Sequence, residues 1–283
     1  MSDQQGPPAG APGRGVLPTN FHYTIAVGSG KGGVGKTTVA VNVSVELASR
    51  GFNVGLLDAD IYGPNVPLMM GVEALPPQAG GKIVPAEAYG VKVISIGLFP
   101  GIQADQPLIW RGPMLHKAIR QFISDVEWGE LDYLIIDLPP GTGDAGLSVA
   151  QSLALSGGVI VTLPQQVSLD DARRGLEMYR QLSVPVLGVV ENMSYLELPD
   201  GSRMDVFGAG GGERLASESG APYLGAIPMD PEVRQGGDTG APVISSHPES
   251  AVSTALREVT SALLVELEEI SPTAKGDIQI DLR

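Results

Sequence analysis

The strongest chemical signal in the chain is Gly28 to Thr38, GSGKGGVGKTT. Within it, Gly30, Lys31, Gly32, Gly33, Val34, Gly35, Lys36 and Thr37 fit the spacing G-x4-G-K-[ST], with Thr38 following. That spacing builds a loop around phosphate. Glycines let the backbone curl until successive N–H groups converge on phosphate oxygens. A helix starting at the end of the loop aims its N-terminus at the same anion. Lys36 brings a positive charge to the β- and γ-phosphates, and the Thr37 hydroxyl suits Mg²⁺, which takes hard oxygen ligands.

Carboxylates follow two later strands. LLDADIYGPN places Asp58 and Asp60 where ligands bind in open α/β sheets, at the carboxyl end of a strand. Asp60 is the candidate for positioning or activating the attacking water and for the metal shell, with Asp58 orienting that loop or shell. Asp137 closes YLIID and opens DLPPGTGD, the position of an acid that holds Mg²⁺ directly or through water. Thr37, Asp60 and Asp137 are thus the candidate metal ligands. For any one Asp at a strand end, capping is the plain alternative. The Pro-Pro-Gly-Thr-Gly run reads as a loop that could sense the γ-phosphate. The late strand ends in Glu191-Asn192-Met193-Ser194, without the Lys and Asp of the guanine-reading Asn-Lys-x-Asp, which favours ATP.

These residues need a scaffold that brings several strand ends together. Strand-like runs at Tyr23–Ser29, Asn53–Asp58, Val91–Ile96, Tyr133–Asp137, Val159–Leu163, Val186–Asn192 and Tyr223–Ile227 alternate with helix-length segments. The predicted helices are Thr37–Arg50, Met114–Val126, Leu169–Leu182 and Pro248–Ile270, and Tyr62 to about Gly90 reads as a Gly/Pro-rich connection. The pattern predicts an α/β fold: a single doubly wound, mostly parallel sheet with helices on both faces. Residues 1–20 are a Gly/Pro-rich arm, 21–270 the nucleotide-binding domain, and 271–283 a polar tail.

Composition excludes much else. The 283 residues contain no cysteine, so disulfides, cysteine nucleophiles and thiolate-held clusters are absent from the chain itself. With 18 basic and 32 acidic side chains the formal charge is −14, which disfavours nucleic acid as a partner. The apolar runs are strand-length, short of the ~20 residues of a membrane helix, and the start lacks a signal-peptide pattern. The cytoplasm is the expected location. His22, His116 and His247 show no metal spacing. Asp170 and Asp171 suit the start of a helix, and Met69, Met70 and Met114 read as core filler.

The second lysine in KGGVGKT, Lys31, resembles the signature of the deviant Walker A ATPases, the superfamily of MinD, ParA, Mrp and the nitrogenase iron protein. That resemblance implies a homodimer sandwiching two nucleotides, with Lys31 reaching the partner's ATP and joining Lys36 and Asp60 in catalysis. It also implies that Asn192 meets the adenine amino edge, and that Ile227–Arg234, with Pro228 and Asp230, forms a second loop along the base. LLDADIYGPNVPLMMG, IWRGPM, VTLPQQVSLDDARRGLEMY, GVVENMSY, FGAGGGERLA and LGAIPMDPEVRQGGDTGAPV bring the match closest to the Mrp family, including its ApbC type. These are ATP-dependent iron–sulfur cluster carriers that serve apoproteins. Trp110 and Arg111 resemble a family motif near the dimer face, and a core Trp beside a surface Arg fits as well. The family holds its cluster on a Cys-x-x-Cys just after ENMSY, one pair per subunit. Here those places carry Leu198 and Asp200 or Gly201, and the nearby Glu197, Asp200 and Asp205 are poor cluster ligands. The expected function is an ATPase acting in iron–sulfur protein assembly with an apoprotein or scaffold partner and no cluster thiolate of its own. A MinD/ParA-like positioning protein and a regulatory ATP-dependent adaptor are the alternatives.

Overall fold

The structure is a computed structural model, and it describes residues 20–78, 80–99, 112–143, 146 and 154–270. Its centre is an eight-stranded sheet. The strands are β1 (Phe21–Ser29), β2 (Val54–Asp58), β3 (Ala86–Ala88), β4 (Val91–Ser95), β5 (Leu131–Asp137), β6 (Gly157–Thr162), β7 (Val186–Glu191) and, after a small hairpin of β8 (Leu196–Glu197) and β9 (Arg203–Met204), β10 (Tyr223–Ala226). The order across the sheet is β10-β7-β6-β1-β5-β2-β4-β3, parallel except for the edge strand β3.

The described helices are α1 (Lys36–Ser49), α2 (Val66–Met70), α3 (Gly112–Ser124), α4 (Gln166–Gln181), α5 (Gly211–Ser219), α6 (Pro231–Thr239), α7 (Val243–Ser246) and α8 (Ala251–Ile270). They cover both faces of the sheet, and strand alternation shows it. Tyr133 and Ile135 of β5 join one apolar cluster with Val39 of α1 and Leu256 of α8. Leu134 and Ile136 join the other, with Ile119 of α3, Tyr179 of α4 and Leu215 of α5. A period of two feeding two cores is what a doubly covered parallel sheet requires. The fold is therefore the expected one.

Helix α1 carries Val39, Val41, Val43 and Val45, residues of modest helix propensity. It is helical because residues 39–47 are all buried, and tertiary packing outweighs intrinsic preference. Helix α8 starts three residues later than expected. The hydroxyl of Ser250 accepts the Ser253 N–H, an N-cap that fixes the start. Two elements lie inside the supposed connection 62–90, namely α2 and β3, each too short to show periodicity. Met70 is buried and Met69 half-buried, but Met114 is 52% exposed, which corrects its assignment to the core. Burial along the described part of α3 begins one turn later, at Ala118. The arm before Asn20, Trp110, Arg111, Asp144 and the tail after Ile270 lie outside the described residues.

Tyr179 is fully buried under the strand that feeds the phosphate loop, and its hydroxyl donates to the Ala26 carbonyl at 3.3 Å. The ring fits because its neighbours are glycines. A Cβ on Gly158 would lie 2.5 Å from ring carbons, and one on Gly28 would lie 2.7 Å from the hydroxyl. Gly158→Ala is therefore expected to destabilise the fold by about 1–3 kcal/mol through overpacking. In calorimetry that is a fall in Tm of roughly 2–4 °C per kcal/mol, and the loss should shrink in a Tyr179→Leu background.

Candidate functional site

The site is assembled at the carboxyl edge of the sheet. Parallel pairing sets Asp58 level with Asp137 across β2 and β5, Ser95 level with Asp58 across β4 and β2, and Val27 level with Asp137 across β1 and β5. Four strands thus deliver their ends at one height, and the loop after β1 rises between them.

That loop is packed to the limit glycine allows. A Cβ on Gly30 would sit 2.0 Å from the Asp171 carbonyl carbon of α4. Gly35 has φ +83° and would drive a Cβ to 2.1 Å from the Asn192 amide nitrogen, while Gly33 has φ +79°. The Ser29 hydroxyl donates to the Lys31 carbonyl, and Gly141 N–H donates to the Ser29 carbonyl at 3.0 Å. The 139–143 loop therefore lies against the phosphate loop.

Beneath the loop, Lys36 Nζ meets Asp137 Oδ1 at 2.6 Å, both side chains almost fully buried. The Thr37 hydroxyl donates to Asp137 Oδ2 at 2.7 Å, and Lys36 Nζ also donates to the Thr37 hydroxyl at 3.3 Å. The three residues expected to bind phosphate and Mg²⁺ are therefore in mutual contact. Burial pushes the Asp137 carboxyl above its ordinary value, against the pull of Lys36.

Asp58 is completely buried and holds the neighbouring loop by its backbone. Its carboxyl accepts the Asp60 N–H at 3.1 Å, the Val66 N–H at 3.3 Å and the Ser95 hydroxyl at 2.9 Å. Burial, then the proximity of Asp137, raises it well above the usual carboxylate range. Asp60 is half-buried and faces the cavity, and burial raises it while Lys36 pulls it down. Ser95 was not anticipated; its only signal is a hydroxyl ending the apolar run VKVIS.

A cavity of about 870 Å³ runs from Lys31–Thr38 past Asp60 to Asn192, Pro228 and Asp230. Its far end is walled by Leu68 and Met69 of α2 and by Val233 of α6, apolar residues suited to a flat base. Asn192 Nδ2 donates to the Val34 carbonyl at 2.8 Å, so the Asn reaches the phosphate loop itself. Asp230 Oδ1 accepts the Glu232 N–H as the N-cap of α6.

A family model described as ParA, NUBPL iron-transfer P-loop NTPase, matches residues 20–264. The chain belongs to that family. It is 55% identical over 245 residues to an iron–sulfur cluster carrier protein of Deinococcus radiodurans, covering 85% of this chain and 69% of the relative. It is 53% identical over 247 residues to one of Synechocystis, covering 84% and 69%. Among solved structures, a nucleotide-binding protein of Archaeoglobus fulgidus in complex with ADP matches with a TM-score of 0.70 at 38% identity, covering 79% of this chain and 88% of that one.

Where the resemblance places a Cys-x-x-Cys, this member of the family has a closed hairpin. Leu196–Glu197 pair with Arg203–Met204, and the turn is tied by Leu198 N–H to the Ser202 carbonyl and by the Ser202 N–H and hydroxyl to Asp200. The Arg203 guanidinium lies 4.1 Å above the Tyr195 ring. Gly201 takes φ +80°, and Met204 and Val206 are exposed. Asp200 and Ser202 spend their polar groups on the turn, and the soft atom here is the exposed Met204 thioether, with no thiolate beside it.

The buried ion pair gives a pH-dependent prediction. In Lys36→Met, Asp137 keeps its burial and loses its cation, so its raised pKa rises further. A carboxyl with a raised folded pKa gains stability as pH falls through that value toward the unfolded one, near 3.8. The variant is expected to be less stable than the parent near pH 8 by about 3–5 kcal/mol, the cost of stranding a buried charge. Urea unfolding across pH should show the gap narrowing as the medium is acidified.

Proposed function

We propose that this protein binds and hydrolyses ATP with Mg²⁺ as a homodimer in the cytoplasm, and that it works in iron–sulfur protein assembly without ligating a cluster through its own thiolates. One observation carries the reading: Lys36, Thr37 and Asp137 stand in contact beneath a complete phosphate loop, in a chain of this family with no cysteine.

The donor set suits Mg²⁺, since Thr37 and Asp137 offer a hydroxyl and a carboxylate 2.7 Å apart. Among the described residues no group of three His, Asp or Glu could hold a metal ion alone. That fits a Mg²⁺ shared between one or two side chains, phosphates and water. When bound, the ion would neutralise charge on the β- and γ-phosphates. Lys36 and the loop amides hold the phosphates, and Asp60 orients the attacking water. Asp58 keeps Asp60 in place through its backbone N–H. Lys31 offsets charge on the partner's nucleotide, and Asn192 with Pro228 and Asp230 lines the adenine.

The cluster is cargo here, and its thiolates would come from an iron–sulfur apoprotein or scaffold. The net charge of −14 gives no support to a DNA-positioning role. The missing cysteines favour a second reading, an ATP-switched adaptor that docks such partners.

Lys36→Ala is expected to weaken ATP binding on the order of 100-fold, through loss of a charge-assisted contact. Asp60→Ala should keep ATP affinity and lower kcat by about 10²–10³-fold. Normal turnover in Asp60→Ala would remove the water-positioning role. Anaerobic reconstitution of the purified protein with iron and sulfide should leave it without stoichiometric cluster, by iron and acid-labile sulfide assay. A stoichiometric cluster would overturn the no-thiolate reading.

A further inference from the structure

The mechanism leaves one buried acid unused. Glu191, the last residue of β7, is 1% exposed and does not line the cavity. Its Oε1 accepts the Ser194 hydroxyl, and its Oε2 accepts the Gly212 N–H in the first turn of α5. The main chain around it is tied as tightly. The Glu191 carbonyl accepts Ile227 N–H at 2.8 Å, Ser194 N–H donates to the Ile227 carbonyl at 3.0 Å, and Met229 N–H donates to the Tyr195 carbonyl at 2.7 Å.

Two independent features show that this anchorage is built in. The start of α5 can descend onto the carboxyl only because Gly212 has no side chain; a Cβ there would lie 2.8 Å from the Glu191 Cβ. Between Asn192 and Ser194, Met193 takes φ +51°, a conformation costly for a side chain of that size. A strained turn persists when its surroundings over-determine it. Here the bond from Ser194 back to Glu191 closes the turn, and Asn192 sits inside it with its amide on the Val34 carbonyl.

We propose that Glu191 is a positioning residue for the base end of the nucleotide site. Its carboxyl holds the 191–195 turn closed, so that Asn192 and the Pro228–Asp230 loop present themselves to the purine. The inference rests on the reading of Asn192 as a base contact. At the phosphate end Lys36, Thr37 and Asp137 hold one another, and the turn meets that loop through Asn192, whose amide donates to the Val34 carbonyl and against which Gly35 packs.

The test compares two ligands by calorimetric titration, Mg-ATP and Mg-tripolyphosphate, which share phosphates and differ in the nucleoside. Glu191→Ala should weaken Mg-ATP by about tenfold and leave Mg-tripolyphosphate within about twofold. Glu191→Gln, which can accept from Gly212 and donate to the Ser194 oxygen, should return Mg-ATP to within about threefold of the parent. Ser194→Ala removes one bond only; it should show a smaller selective loss, and it decides the matter if Glu191→Ala does not fold. Parallel loss of both ligands, or no loss of Mg-ATP, would overturn the proposal. Asn192→Ala separates the two readings. A selective Mg-ATP loss there with none in Glu191→Ala or Ser194→Ala sinks the positioning role alone, whereas no selective loss there sinks the base assignment.

Discussion

The buried pair of Lys36 and Asp137 is the constraint around which the rest is arranged. Two carboxyls, Asp58 and Asp137, stand level on adjacent strands inside the protein, with one buried lysine beside them. Both are pushed up by burial. Such a site is short of positive charge before any ligand arrives. Polyphosphate brings more negative charge, and a cation bound with it would take over part of the load on Asp137. The charge balance of the site and its oxygen donors both favour the Mg²⁺ of the proposed function.

The same constraint explains why the scaffold is rigid where it is. Charges that close have defined energies only if their spacing is fixed, and parallel strand register fixes it. Asp58 spends its acceptors on the Asp60 and Val66 amides and the Ser95 hydroxyl, which anchors the Asp60 loop and the start of α2 to one buried group. Because α2 also carries Leu68 and Met69 into the far end of the cavity, the phosphate and base ends share a support. The glycines of the phosphate loop work in the same way. Gly30 lets the backbone rest on α4 and Gly35 lets it rest on Asn192, so the loop is shaped by what presses on it from outside.

Local signals were readable and distant ones were not. The phosphate loop is contiguous, so its glycine and lysine spacing was enough. Asp58, Asp60 and Asp137 were legible because each follows an apolar run long enough to be a buried strand. Ser95 was missed because one serine in VKVIS looks like any strand residue until register sets it opposite Asp58. Helix α6, PEVRQGGDT, has two interior glycines and weak propensity, and Asp230 caps its start. Glu191 was invisible as an anchor, since its partner Gly212 lies 21 residues on and only the fold brings the two together.

The hairpin at Leu196–Met204 sits where the resemblance implies a Cys-x-x-Cys, and it is joined by its backbone to the cavity lining. Its first strand grows directly from the turn that Glu191 closes, and its backbone bridges Met229 beside the base-lining loop. A change at the base end is therefore one hydrogen bond away from the hairpin, whether or not that hairpin carries ligands for metal. In this chain the place of the thiolates is filled by a self-satisfied turn with Met204 and Val206 outward. On the proposed function, ATP would act there on a surface and not on thiolates. A cluster handed over at that surface would need its thiolate ligands from another protein, since this chain has no cysteine.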